Sequence, residues 1–129
     1  MSLGPLAALA TKSKNLADRP NPHDLAMVEQ ARRAVGEAAS SILIGQLSYL
    51  DGARLICAQR PFCAVAEDDP DFDAFIVVYS ESDHLPVGAA RRNWAEDTLL
   101  RLQPEIEASE ARAAAVATTA AENLARRYG

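Results

Sequence analysis

A chain of 129 residues has room for one domain and is too short for two comfortable ones. Hydrophobic residues make up 49% and aromatics only 5%, so the core must be built from Leu, Ile, Val and above all Ala, which favours closely packed helices over a β-branched, aromatic sheet. The net charge of −5 speaks against loose electrostatic binding to nucleic acid or an anionic membrane, which needs a basic excess.

The first residues, Met1 to Ala10, are mildly apolar but carry no basic stretch and no long apolar run, a poor fit to a signal peptide. No stretch approaches the ~20 apolar residues of a membrane span. A cytoplasmic protein is expected. Pro5–Leu16 can form a short helix, with residues 1–20 more loosely ordered than the rest. Asp18-Arg-Pro-Asn-Pro22 then breaks the chain and sets up a helix start. Asn21 is a candidate N-cap, Pro22 fits the first helical position, and Asp24 lies in the first turn.

Val28, Val35, Ile42, Tyr49 and Ile56 recur every seven residues, and Ala31, Ala38, Gly45 and Gly52 follow the first four by three. This is a heptad pattern with a large residue at a and a small one at d. It predicts one helix over about 23–60, roughly 57 Å long at 1.5 Å per residue. Gly36 is a candidate break, but the register survives across it. Off the seam, Leu43, Ile44, Leu47, Leu50 and Leu55 make the second half apolar on nearly all faces, so more than one element must cover it. Cys57 and Cys63 are read as two reduced, partly buried thiols rather than a disulfide framework.

Pro61 ends this helix, and Glu67 to Asp73 reads as an acidic loop. Phe72 and the run Phe75 to Tyr79 are β-branched and aromatic, which predicts a short extended segment over about 74–79. A lone strand needs a partner: a second copy could supply one, or the run lies extended across the helices. Ser80 to Gly88 is a loop. Asn93 has capping-box spacing to Glu96, and a second long helix is predicted over about 94–127. Its seam is Leu99, Leu102, Ile106, Ser109, Ala113, Val116 and Ala120, with Pro104 kinking it. The expected fold is therefore mostly α. It is a single helical-bundle-like domain over 1–129, with two long antiparallel helices, a short N-terminal helix and one extended segment. Gly45 and Gly52 are expected to be where the two long helices approach most closely.

The chain has no Gly-rich phosphate loop, nucleophile elbow, CxxC or HExxH. Asp69, Asp71 and Asp73 have the spacing of the first three calcium ligands, but Ala74 and Ser80 stand where the loop needs Gly and Glu. Glu81, Asp83 and His84 put two carboxylates and an imidazole within four residues. Such a trio can hold a divalent metal, and Ser/Asp-rich loops equally form hydrogen-bonded turns without one. Trp94 is either an anchor for the last helix or a partner-facing residue.

Phe72-Asp-Ala-Phe-Ile-Val-Val-Tyr-Ser-Glu-Ser-Asp-His-Leu-Pro-Val-Gly88, followed by Arg92 and Trp94-Ala-Glu, resembles a group of small bacterial proteins classed only as a domain of unknown function. Their pattern runs from an extended stretch through Asp-Ser-Glu-x-Asp-x-Leu-Pro-x-Gly to a Trp before a long helix. Ile42 to Arg54 is similar to that group's preceding helix, so the resemblance spans about residues 25–127. It departs at Tyr79, where the group's pattern has Asp. The resemblance draws attention to Glu81, Asp83, His84 and Pro86 without giving them a role. By analogy with small bacterial proteins that neutralise a neighbouring toxin, it suggests an immunity-like partner.

The favoured functional expectation is a non-enzymatic protein-interaction or regulatory module, with no cofactor, bound metal, nucleic acid or membrane. Its candidate functional loop is Glu81, Asp83, His84 and Pro86, and its candidate interface is Trp94, Tyr79 and Phe75. One alternative is a small-ligand or divalent-metal domain using the 80–88 loop. The other is a structural helical homodimer, motivated by the apolar stretch Ile42–Cys57.

Overall fold

A computed structural model describes residues 22–129, with side chains from Asp24 onward. The expected helix over Pro5–Leu16 and the Asn21 cap lie outside the described residues. The described chain forms α1 (Pro22–Leu43), α2 (Tyr49–Gln59), a 3-10 turn at Arg60–Phe62, α3 (Pro70–Ser82), a second 3-10 turn at Gly88–Asn93, and α4 (Glu96–Tyr128). The mostly helical expectation holds, and no strand is present among the described residues.

The helix expected over 23–60 is two helices joined by a turn, and local capping explains why. Gly45 has φ +80°, a backbone conformation that costs an L side chain roughly 1–2 kcal/mol and glycine nothing. The Gln46 amide donates to the Ser41 carbonyl at 2.9 Å and the Gly45 amide to the Ile42 carbonyl at 3.1 Å. These two bonds close α1 in a Schellman motif. Three residues later Ser48 starts α2, its hydroxyl accepting from the Asp51 amide at 3.0 Å. The seven-residue register continues across the turn only because α2 has an apolar face of its own, with Leu50, Gly52, Ala53 and Ile56 buried.

The segment expected to be extended over 74–79 is the middle of α3. Asp69 caps this helix, accepting from the amides of Asp71 and Phe72. Pro70 occupies the first turn, and Asp71 and Asp73 complement the helix dipole there. Phe72, Phe75, Val78 and Ser82 are buried, spaced three, three and four as one helical face requires. Cap, proline and tertiary burial outweigh the weak extended preference of Ile76, Val77 and Val78.

The last helix matches its expected extent within two residues and passes through Pro104 without ending. Its start differs. Asn93 ends a 3-10 turn, Ala95 is the N-cap, and no side chain caps it. Ser109, Ala113, Ala117, Ala120, Ala121 and Leu124 form its buried face. Val116, expected in the seam, is exposed, and Ala117 takes its place.

α4 packs on α1, α2 and α3, and one cluster of buried side chains joins all four helices. Gly36 of α1 meets the end of α4 at Tyr128, while Tyr49, the first residue of α2, meets Glu110 and Thr118. Contacts therefore move back along α4 as the chain moves forward. α1 and α4 approach closely at Gly36, where a Cβ would overlap the carbonyl carbon and oxygen of Tyr128 and the amide nitrogen of Gly129. The two glycines expected in that role act otherwise. Gly45 has open space around it, and Gly52 packs on the Ile42 side chain of α1.

Candidate functional site

The 80–88 loop divides into an inner and an outer part. Leu85, Pro86 and Val87 are buried and plug the end of the core. Pro86 is thus a packing residue rather than part of an open loop. Ser82 is buried at the end of α3; its hydroxyl donates to the Val78 carbonyl at 2.7 Å. Arg54 of α2 reaches over and donates to the Ser82 carbonyl at 2.7 Å and to the Leu50 carbonyl at 3.0 Å. Glu81, Asp83 and His84 stay exposed outside this clamp. His84 Nε2 pairs with Glu105 Oε2 of α4 at 2.7 Å. Among the described residues no three His, Cys, Asp or Glu side chains converge to hold a metal ion.

The candidate interface residues also separate. Phe75 is fully buried and belongs to the core. Tyr79 and Trp94 are exposed, with the Arg54 guanidinium 5.5 Å above the Tyr79 ring, a cation–π contact. The two lie four residues apart on α3, where Phe75 is buried and Tyr79 is exposed.

Several charged side chains tie the helices together. Arg127, near the end of α4, forks onto both oxygens of Asp69 at 3.1 and 2.9 Å and reaches Asp71 at 3.0 Å. Asn123 donates to Asp71 at 2.9 Å. The Arg127 hydrogen bonds hold the Asp69 carboxyl below the usual carboxylate range, helped by the amides it caps. The Glu110 carboxylate accepts from the Tyr49 and Leu50 amides at 2.6 and 3.2 Å, so it satisfies the orphan donors and dipole at the start of α2. Arg32 donates to the carbonyls of Cys63 and Ala64 at 2.8 and 3.4 Å and so braces Ala64 at φ +54°. Burial pushes both Cys57 and Cys63 thiols up, which keeps them protonated and poorly nucleophilic.

The surface feature that sequence reasoning missed is a furrow between α1 and α2. Its two basins, about 410 and 270 Å³, share Ala34 and Gln59 in their walls and therefore run into one another. Ala31, Ala34 and Ala38 line it on the α1 side; their small side chains leave the trough unfilled. Met27, Leu55 and Phe62 stand along it at 43%, 51% and 51% exposure. Glu37 is the one charged residue among those lining it. A signal existed in the sequence: Met27, Ala34 and Ser41 repeat every seven residues, one position before the core seam. The surrounding Glu29, Gln30 and Arg33 disguised it as a solvated face.

No family model matches the chain, and no curated protein or solved structure matches it. No helix among the described residues is long and apolar enough to cross a membrane.

Proposed function

We propose that this chain is a non-enzymatic protein-interaction module of the regulatory or immunity-like kind, and that it docks its partner along the α1–α2 furrow. One observation carries this reading. Three large apolar side chains, Met27, Leu55 and Phe62, each stand about half exposed around a trough walled by alanines. A groove with apolar rims and a shallow floor is how a helical partner is received. Exposed apolar side chains gathered around one concavity mark a docking surface better than the same side chains scattered.

The behaviour of the charged groups supports the same reading. Arg54, Glu110 and Arg127 are occupied in fixing one helix to another, and Arg32 in holding the connection at Cys63. The His84 imidazole is hydrogen-bonded to Glu105, and no third ligating side chain joins them among the described residues, so the metal-binding alternative has less support. The negative charge favours a protein partner over nucleic acid, and a cytoplasmic setting belongs to this proposal. The resemblance of residues 72–95 to small bacterial proteins fits it without adding an activity.

The test is site-specific photo-crosslinking in the native host, with the photoreactive residue at Ala34 in the furrow or at exposed Val116 on α4. A discrete protein adduct from position 34 and none from 116 is expected. Equal labelling at both positions, or none at 34, overturns the reading.

A further inference from the structure

We infer that the occupant of the furrow is the furrow of a second copy, in an isologous two-fold dimer; this rests on reading the furrow as the docking surface. Shape is the first argument. The same surface carries projections, Met27, Leu55 and Phe62, and an alanine-walled trough. A two-fold axis lets each copy's projections enter the other's trough, the self-complementarity that an isologous contact demands.

Charge is the second argument. Copies that each carry −5 repel unless their meeting faces are close to neutral. Of the residues lining the furrow only Glu37 is charged, and Gln30, Gln46 and Gln59 supply its polar groups. An amide side chain both donates and accepts, so glutamines can pair with their own counterparts across a two-fold axis. An acidic or basic partner would find little to recognise there.

Area is the third. With 22 residues in α1 and 11 in α2, the two helices present about 33 Å and 16 Å of length, each about 10 Å wide. That is on the order of 500 Å² per copy and 1,000 Å² in total, the lower bound for a specific interface. The dimer is accordingly weak and concentration-dependent.

Sedimentation of the full chain from about 10 µM to about 1 mM tests this. The mass is expected to rise with concentration from that of one 13.8 kDa chain towards twice that value. Ala34→Arg and Phe62→Glu, checked for an unchanged melt at low concentration, are each expected to hold it monomeric. Val116→Arg, on the exposed face of α4, is expected to leave association unchanged. A monomer at every concentration overturns the dimer. So does association that survives both furrow variants, or that Val116→Arg abolishes. If a monomer begins to associate when Leu6 and Leu9 are changed to Asp, the furrow belongs to the chain's own first residues, and the dimer again fails. The docking reading is judged separately by the adduct from position 34. A heterologous adduct with a monomeric chain removes only the dimer, and no adduct at all removes both.

Discussion

Gly36→Ala offers the sharpest test of the packing, because its two contributions have opposite signs. In a helix whose glycine faces solvent, alanine is better by roughly 1 kcal/mol, since it restricts the unfolded chain and has higher helix propensity. At position 36 the added Cβ falls onto the carbonyl group of Tyr128 and the amide nitrogen of Gly129. Backbone cannot rotate out of the way as a side-chain tip can. Either α1 and α4 separate slightly, at an overpacking cost of about 1–3 kcal/mol, or the last turn of α4 unwinds. Unwinding would give up the cation–π contact of Arg32, 5.6 Å from the Tyr128 ring centroid. On the first route the net effect is a loss of about 1 kcal/mol, or roughly 4 °C in melting temperature for a domain of this size. Gly36→Val adds two more carbons with less gain in propensity and is expected to lose about twice as much. Circular-dichroism melts and urea titrations of the three proteins measure this directly. If Gly36→Ala melts above the wild type, the helices do not meet at this glycine and the packing argument is wrong.

Two further outcomes follow from the same geometry. Gly52→Leu should lose about 1–3 kcal/mol in a urea titration, because its side chain would enter the space of Ile42 on α1; a wild-type midpoint would show that α1 and α2 do not pack there. Arg127→Ala should cost on the order of 1 kcal/mol at neutral pH, the scale of a partly exposed forked ion pair. Its pH dependence has a definite sign. The Asp69 pKa is lowered from 3.8 by Arg127, so the pair's stabilisation is present above the unfolded value and is lost as the pH falls through the folded one. The gap between wild type and variant, followed by urea titration, should stay constant above about pH 5 and close below about pH 4. A gap that widens in acid would contradict the assigned pair.

How much the sequence revealed depended on the range of the signal. The last helix was legible because a long three-four spacing needs no neighbour to be read, and α4 indeed covers Glu96–Tyr128. Within each helix part of the seam is buried, Val35, Ala38 and Ile42 on α1 and Ile56 on α2, but the seam does not run unbroken from Val28 to Ile56. The error lay in letting periodicity outrank capping. Gly45 as a helix stop and Ser48-x-x-Asp51 as a start were both written in the chain, as was Asp69-Pro70 at the head of α3. Asn21-Pro22 carries the same cap-then-proline signal in the sequence. A periodic pattern says which side chains share a face, whereas only caps and turns say where the backbone reverses.

The same distinction separates the two candidate sites. Glu81, Asp83 and His84 are close in sequence, and proximity in sequence suggested a shared task. Glu81 belongs to the last turn of α3, Arg54 clamps that turn at Ser82, and Leu85 to Val87 pack inward, which leaves Glu81, Asp83 and His84 exposed and not converging on a metal. The furrow is made the opposite way, from Met27 on α1 and Leu55 and Phe62 on and after α2. These residues become neighbours only because Gly45 turns the chain back on itself. A single unbroken helix would have strung Met27 and Phe62 some 50 Å apart at 1.5 Å per residue. The turn at Gly45, which the heptad spacing alone does not show, is therefore what creates the surface on which the functional proposal rests.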